Sequence, residues 1–213
     1  PPVINIFVPM RFYRLISFIP KHALYIILFS FFPFFSICQD YDTKLKLLNL
    51  SVNGISYAGY QTELNFSPVS IKLGLWKYTK RFGQLINNDS HYVVKIPMIN
   101  NDGNMEIRLF LKLSGKTKTL VHIALDTTQI PSQSLTIYQK QTQDLILDFK
   151  KKFYWEQYQK VIDTKTIEAK KIAKKYKRLS SHHPDETAAA IALNDLLALD
   201  NEIEQLKALQ LKL

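Results

Sequence analysis

Cysteine is nearly absent: Cys38 is the only one in 213 residues. No internal disulfide can form, and beyond residue 38 there is neither a thiolate nucleophile nor a cysteine metal site. Acids are missing before Asp40, and glycine is missing from Ser134 to the C-terminus, where Pro184 is the only proline. No phosphate-binding glycine loop, G-x-S-x-G, H-E-x-x-H or C-x-x-C occurs, which removes the common signatures of nucleotide, hydrolase, zinc-peptidase and thiol-redox chemistry.

The acid-free start has a pattern of its own. Arg11, Arg14 and Lys21 lead into an uncharged apolar run of 16 residues, Ala23 to Cys38. A helical bilayer crossing needs roughly 20. Basic residues, an apolar run, then Ser36 three places before a cut ahead of Gln39 read as a secretory signal peptide over 1–38. Pro33 would break a long helix there. The alternatives are a lipid anchor on Cys38, against which Ile37 fills a small-residue position, and an uncleaved N-terminal anchor. "PPVINIFVP" precedes Met10, the expected translation start, so 1–9 read as an over-extended frame; a natural extension is the other reading. The expectation is export across an inner membrane to a periplasmic or cell-envelope location. Export without disulfides, and richness in Lys, Asn and Ile, point to a bacterial source.

The chain beyond residue 38 is basic. Of 28 Lys and Arg only three lie before it, against 18 Asp and Glu that all lie after it. Eight of the 13 Phe fall within 1–38, so the remainder is far less aromatic than the whole. It is long enough for one domain with a core and an appendage.

Leu48, Leu50 and Val52, then Ile55 and Tyr57, flank Asn53-Gly54, the strongest short hairpin signal because both turn residues take positive φ. Tyr60, Thr62, Leu64 and Phe66 continue out of phase, so a bulge is expected at Ala58-Gly59. Ser67-Pro68 reads as N-cap and first helical residue. Val69, Leu73, Trp76 and Lys80, with Leu75 and Phe82, then form a helical stripe ending near Gly83. Trp76 is expected to anchor this helix on a sheet. Three alternating strands come next: Tyr92 to Met98, Met105 to Leu113 and Thr119 to Leu125. The fold class expected is α+β, an antiparallel sheet of about five strands in the order β-β-α-β-β-β, polar on one side and covered by helices on the other. That domain spans 39–153.

From Ser134 the glycine-free, Lys/Gln/Glu/Ala/Leu-rich sequence predicts one long helix to about Leu179. Ile137, Leu145, Phe149 and Phe153 are placed to cover the sheet. Ile162, Lys165, Ala169, Ile172, Tyr176 and Leu179 then step by three and four along a projecting half. "SSHHPDET" breaks the helix. Ala189, Ala192, Leu196, Leu199, Ile203, Leu206, Gln210 and Leu213 keep the same spacing. Residues 150–178 are strongly basic and 184–213 mostly acidic, so the two segments are expected to fold back as an antiparallel hairpin or coiled coil over 154–213.

Candidate chemistry is sparse. His182, His183, Asp185 and Glu186 are close in sequence, yet neighbours at a helix break rarely converge on one metal. His91 and His122 read as half-exposed strand residues, and Glu63, Asp102 and Asp126 as turn or edge carboxylates. Catalytic residues, metal and cofactor are therefore expected to be none. "KKKFYWEQYQK" interleaves Lys150, Lys151 and Lys152 with Tyr154, Trp155 and Tyr158, a mix suited to an anionic membrane surface; nucleic acid is disfavoured by export. The more ordinary explanation is a solvated helix face with packed aromatics. Trp76, Tyr92, Leu109 and Phe149 are the candidate lining of an apolar cavity between sheet and helix. The function expected is that of an exported non-enzymatic envelope protein acting as a protein-interaction or assembly module through its hairpin. A carrier of a small apolar ligand is the alternative, and an enzyme of unrecognised type the third reading.

Overall fold

A computed structural model describes residues 41–100, 103–182 and 186–213; the expectations for 1–38 lie outside them. Strands β1 (Lys46–Val52) and β2 (Ile55–Leu64) lead into helix α1 (Pro68–Thr79). Then come β3 (Gln84–Asn88), β4 (His91–Asn100), β5 (Gly103–Ser114) and β6 (Thr119–Leu125). A short 3₁₀ turn (Ser132–Ser134) opens helix α2 (Leu135–His182), and α3 (Glu186–Leu211) closes the chain.

The sheet has six strands in the order β1-β2-β6-β5-β4-β3, every neighbouring pair antiparallel. The class is α+β, as the alternation implies, with one strand more than expected. The extra strand is β3, a five-residue edge strand with only Leu85 and Ile86 as apolar residues. An edge strand needs a ladder on one side only, so its sequence pattern is weak. It turns into β4 through Asp89 at φ 53°, just as β1 turns into β2 through Asn53 at 52° and Gly54 at 82°.

No bulge interrupts β2. Its register against β1 is regular, with Leu48 opposite Gly59 and Asn49 opposite Ala58. The break in alternation has another cause. Gly59 lies against the backbone of Ile123 and within 2.8 Å of Ala124 Cβ, measured from the position its own Cβ would occupy. The small residue lets β2 and β6 approach at that crossing.

Strand parity separates two apolar layers. On one face Leu64, Val94, Leu109, Leu111, Val121 and Ile123 are buried against Ile71 and Leu75 of α1 and Ile146, Phe149 and Phe153 of α2. On the other, Leu50, Val52, Tyr57, Val93, Phe110 and Ala124 form a smaller buried cluster. Tyr57 and Phe110 rings stand 4.8 Å apart there. The second face is therefore not uniformly polar: Lys95, Glu106 and Arg108 share it with that cluster.

Helix α1 begins as its sequence implies, with Ser67 Oγ accepting from Ser70 N and Pro68 in the first turn. Its inward side is not the expected one. Ile71, Leu75, Tyr78 and Thr79 are buried, whereas Val69, Leu73 and Trp76 are exposed. Gly74 explains the rotation. It belongs to the inward row, and any Cβ there would run into the Phe153 ring of α2. Glycine contributes nothing to an apolar pattern, so the row with the bulkier tryptophan looks like the core. Trp76 is thus not an anchor of the helix on the sheet.

Candidate functional site

The feature most out of proportion to the sheet domain is α2, 48 residues and so roughly 70 Å long. Its first half lies on the sheet through Ile146, Phe149, Phe153, Tyr154 and Tyr158. Ile137 is exposed and takes no part: Leu135 and Tyr138 on either side of it pack against the core, and Ile137 lies on another side of the same helical turn. Beyond Tyr158 the partner of α2 becomes α3.

The pairing is antiparallel. Lys165 Nζ donates to Glu202 Oε2, and further back Gln159 Oε1 accepts from Gln210 Nε2 at 3.1 Å. Ile162, Ala169, Leu199 and Ile203 make a core of their own, with Ile172, Leu196 and Leu206 packed on it. Ala192 is buried in the same helix face, and Tyr176 and Leu179 are half-buried. Ala189, Gln210 and Leu213 are half-buried too, so every residue that the spacing placed in the seam is turned from solvent to some degree. Lys165 lies in the seam as well, its side chain 8% exposed. In this register the buried ammonium faces a carboxylate across the two apolar rows.

The hairpin is not a separate body. Leu206, Leu209 and Leu213 reach the sheet core, α2 runs unbroken through residue 154, and residues 41–213 form one compact unit.

The basic-aromatic segment divides around the helix. Lys150, Tyr154 and Tyr158 are buried, Lys152 is half-buried, and Lys151 and Trp155 are exposed. The six do not form one contact patch, because a helix turns successive residues by about a quarter circle or more. Lys150 has a structural role that the sequence did not reveal. Its Nζ is 2.7 Å from Asp42 Oδ1 and 3.0 Å from Thr62 Oγ1. Partial burial works to raise the Asp42 pKa, but the Lys150 hydrogen bond and charge outweigh it and hold the carboxyl below its ordinary value. Tyr154 Oη accepts from Asn65 N at 3.2 Å.

Trp76, Tyr92, Leu109 and Phe149 do not converge on a cavity. Leu109 and Phe149 are packed in the core, Tyr92 is half-buried, and Trp76 faces out under Lys80. A cleft of about 200 Å³ does exist between α1 and α2, and of the four only Phe149 lines it, with Lys77, Tyr78, Arg81, Lys152, Phe153 and Glu156. Beside it Tyr78 Oη donates to Asp148 Oδ2 at 2.6 Å. Burial and then the Asp148 carboxylate push the phenol far above its usual pKa.

Other titratable residues have local structural partners. Asp126 Oδ1 accepts from Thr128 N and Oγ1, and Glu63 pairs with Lys118 at 3.2 Å. His122 Nε2 lies 2.8 Å from Gln61 Nε2; burial first, and then Lys112, lower its pKa. His91 is buried rather than half-exposed, its ring against Phe110 and its Nδ1 3.0 Å from Ser90 Oγ. No group of three His, Cys, Asp or Glu suited to a metal occurs among the described residues. Asp102 and the side chains of the His182–Glu186 cluster lie outside them. Among described residues no helix is long and apolar enough to cross a membrane.

Comparison adds no relative. No family model matches this sequence, and no curated protein or solved structure matches it significantly.

Proposed function

We propose that this is an exported, non-enzymatic cell-envelope protein whose helical hairpin is an assembly arm, engaging a partner protein or a second copy of the chain. The observation that carries the proposal is the further buried cluster, Ile162, Ala169, Leu199 and Ile203, between the two long helices. Two helices that continue beyond the sheet and bury a seam there add surface with no role in covering the sheet. Their outer sides are suited to pairing. Leu193 and Leu197 lie exposed one turn apart on α3, followed by Asp200 and Glu204; Ile167, Lys170, Lys174 and Lys177 line the outside of α2. A second hairpin laid with its basic helix over the acidic one matches both the apolar and the charged rows.

Light scattering and sedimentation velocity over a wide concentration range test this on the protein and on Leu193→Lys/Leu197→Lys. Association that grows with concentration, and is lost in a variant with an unchanged urea midpoint, is the expected result. A wild-type chain monomeric at every concentration argues against self-assembly.

A further inference from the structure

Helix α1 is apolar on two sides, and the core uses only one. Val69, Leu73 and Trp76 are 69%, 57% and 51% exposed. Four and three residues apart, they make one outward stripe. Three large apolar side chains together on one short helix differ from the scattered exposed residues normal for a surface.

Cations border the stripe. Lys80 Nζ lies 5.2 Å over the Trp76 ring, and Lys72 Nζ 5.6 Å over that of Tyr92. Lys77 and Arg81, one turn apart, converge with Lys152 of α2 on the 200 Å³ cleft. None of these five cations forms an ion pair among the described residues, and α1 contains no acid. Glu156 is the single carboxylate lining the cleft.

We infer that the outward face of α1 docks on an anionic membrane surface, with the cleft between Lys77, Arg81 and Lys152 receiving a lipid phosphate. Tryptophan prefers the headgroup level, leucine and valine reach the acyl boundary, and lysines extend their stems along apolar surface while their charges meet phosphate. The decisive observation is charge. An unpaired cationic rim with no acid on its helix complements a uniformly negative surface, whereas a protein face would bring charges of both signs. The stripe belongs to the sheet domain, so this inference does not depend on the hairpin reading.

Trp155→Phe in the full chain leaves Trp76 as the only tryptophan. Every arm then carries the same N-terminal apolar run, and emission reports α1 alone. Vesicles of equimolar phosphatidylcholine and phosphatidylglycerol are expected to shift Trp76 emission to the blue and shield it from acrylamide. Neutral phosphatidylcholine vesicles are expected to do neither. Lys77→Glu/Arg81→Glu should weaken the transition at least about tenfold, since each cation contributes roughly a fivefold factor. Leu73→Ser should reduce the shift; these sites are solvent-facing, and an unchanged far-UV spectrum and urea midpoint are expected of both variants. Trp76 emission unmoved by anionic vesicles overturns the inference, as does an equal shift with neutral ones. A shift that grows with protein concentration alone reassigns the stripe to protein contact.

Discussion

Lys150 Nζ, on a side chain 1% exposed, lies 2.7 Å from Asp42 Oδ1. The pair ties the segment before β1 to the first third of α2, across the end of β2 where Thr62 completes the ammonium's hydrogen bonds. Asp42 is partly solvated, so the two partners are not equivalent. Asp42→Asn leaves a buried ammonium without its counter-charge and is expected to cost about 1–3 kcal/mol in urea denaturation at neutral pH. Lys150→Met removes the charge with its stem retained, and should cost less.

The same pair sets a pH dependence. The folded Asp42 carboxyl titrates below its unfolded value, so the folded state binds fewer protons across that interval. Its stabilisation is therefore present above the unfolded pKa and lost as pH falls through the folded one. The stability gap between wild type and Asp42→Asn should shrink on acidification through the carboxylate range. A constant gap down to strongly acidic pH would contradict the linkage.

His122 adds a second titration of the same sign, in the imidazole range rather than the carboxylate range. Its folded pKa is lowered by burial and by Lys112, so protonation favours the unfolded chain. Between the ordinary imidazole value and the lower folded one, stability should fall as pH falls. An NMR titration should give a His122 midpoint below that of a denatured control, and His122→Gln should flatten this part of the profile.

The phase of α1 separates two readings of one stretch. Leu75→Ala, in the core, is expected to cost about 2–4 kcal/mol, while Trp76→Ser should change stability by less than about 1 kcal/mol. Equal losses would restore the tryptophan to the interior. Gly74→Ala should be costly for its size, about 1–3 kcal/mol, because its methyl meets the Phe153 ring.

In the hairpin, Ile203→Ala should lower stability by about 2–3 kcal/mol, as expected for an aliphatic residue that is 7% exposed. A double-mutant cycle on Lys165 and Glu202 is expected to show coupling of about 1–3 kcal/mol. Additive effects would mean that the two are not coupled across the seam.

By itself the sequence determined whatever rests on local or periodic physics. Asn53-Gly54 compelled a turn through its positive φ, Ser67-Pro68 a helix start, and the glycine-free stretch from Ser134 a helix that only a break near Pro184 could end. Three-four spacing with opposite charge on its two limbs made the hairpin and its seam legible, because each apolar row repeats turn by turn within its own helix and the two helices follow one another in sequence. Tertiary structure decided the rest. It chose which side of α1 turned inward, since the void beside Gly74 exists only once Phe153 arrives from 79 positions later. It recruited β3, whose few apolar residues acquire meaning only beside β4. It also sank Lys150 against Asp42, 108 residues away, because burial depends on what long-range packing places around a side chain.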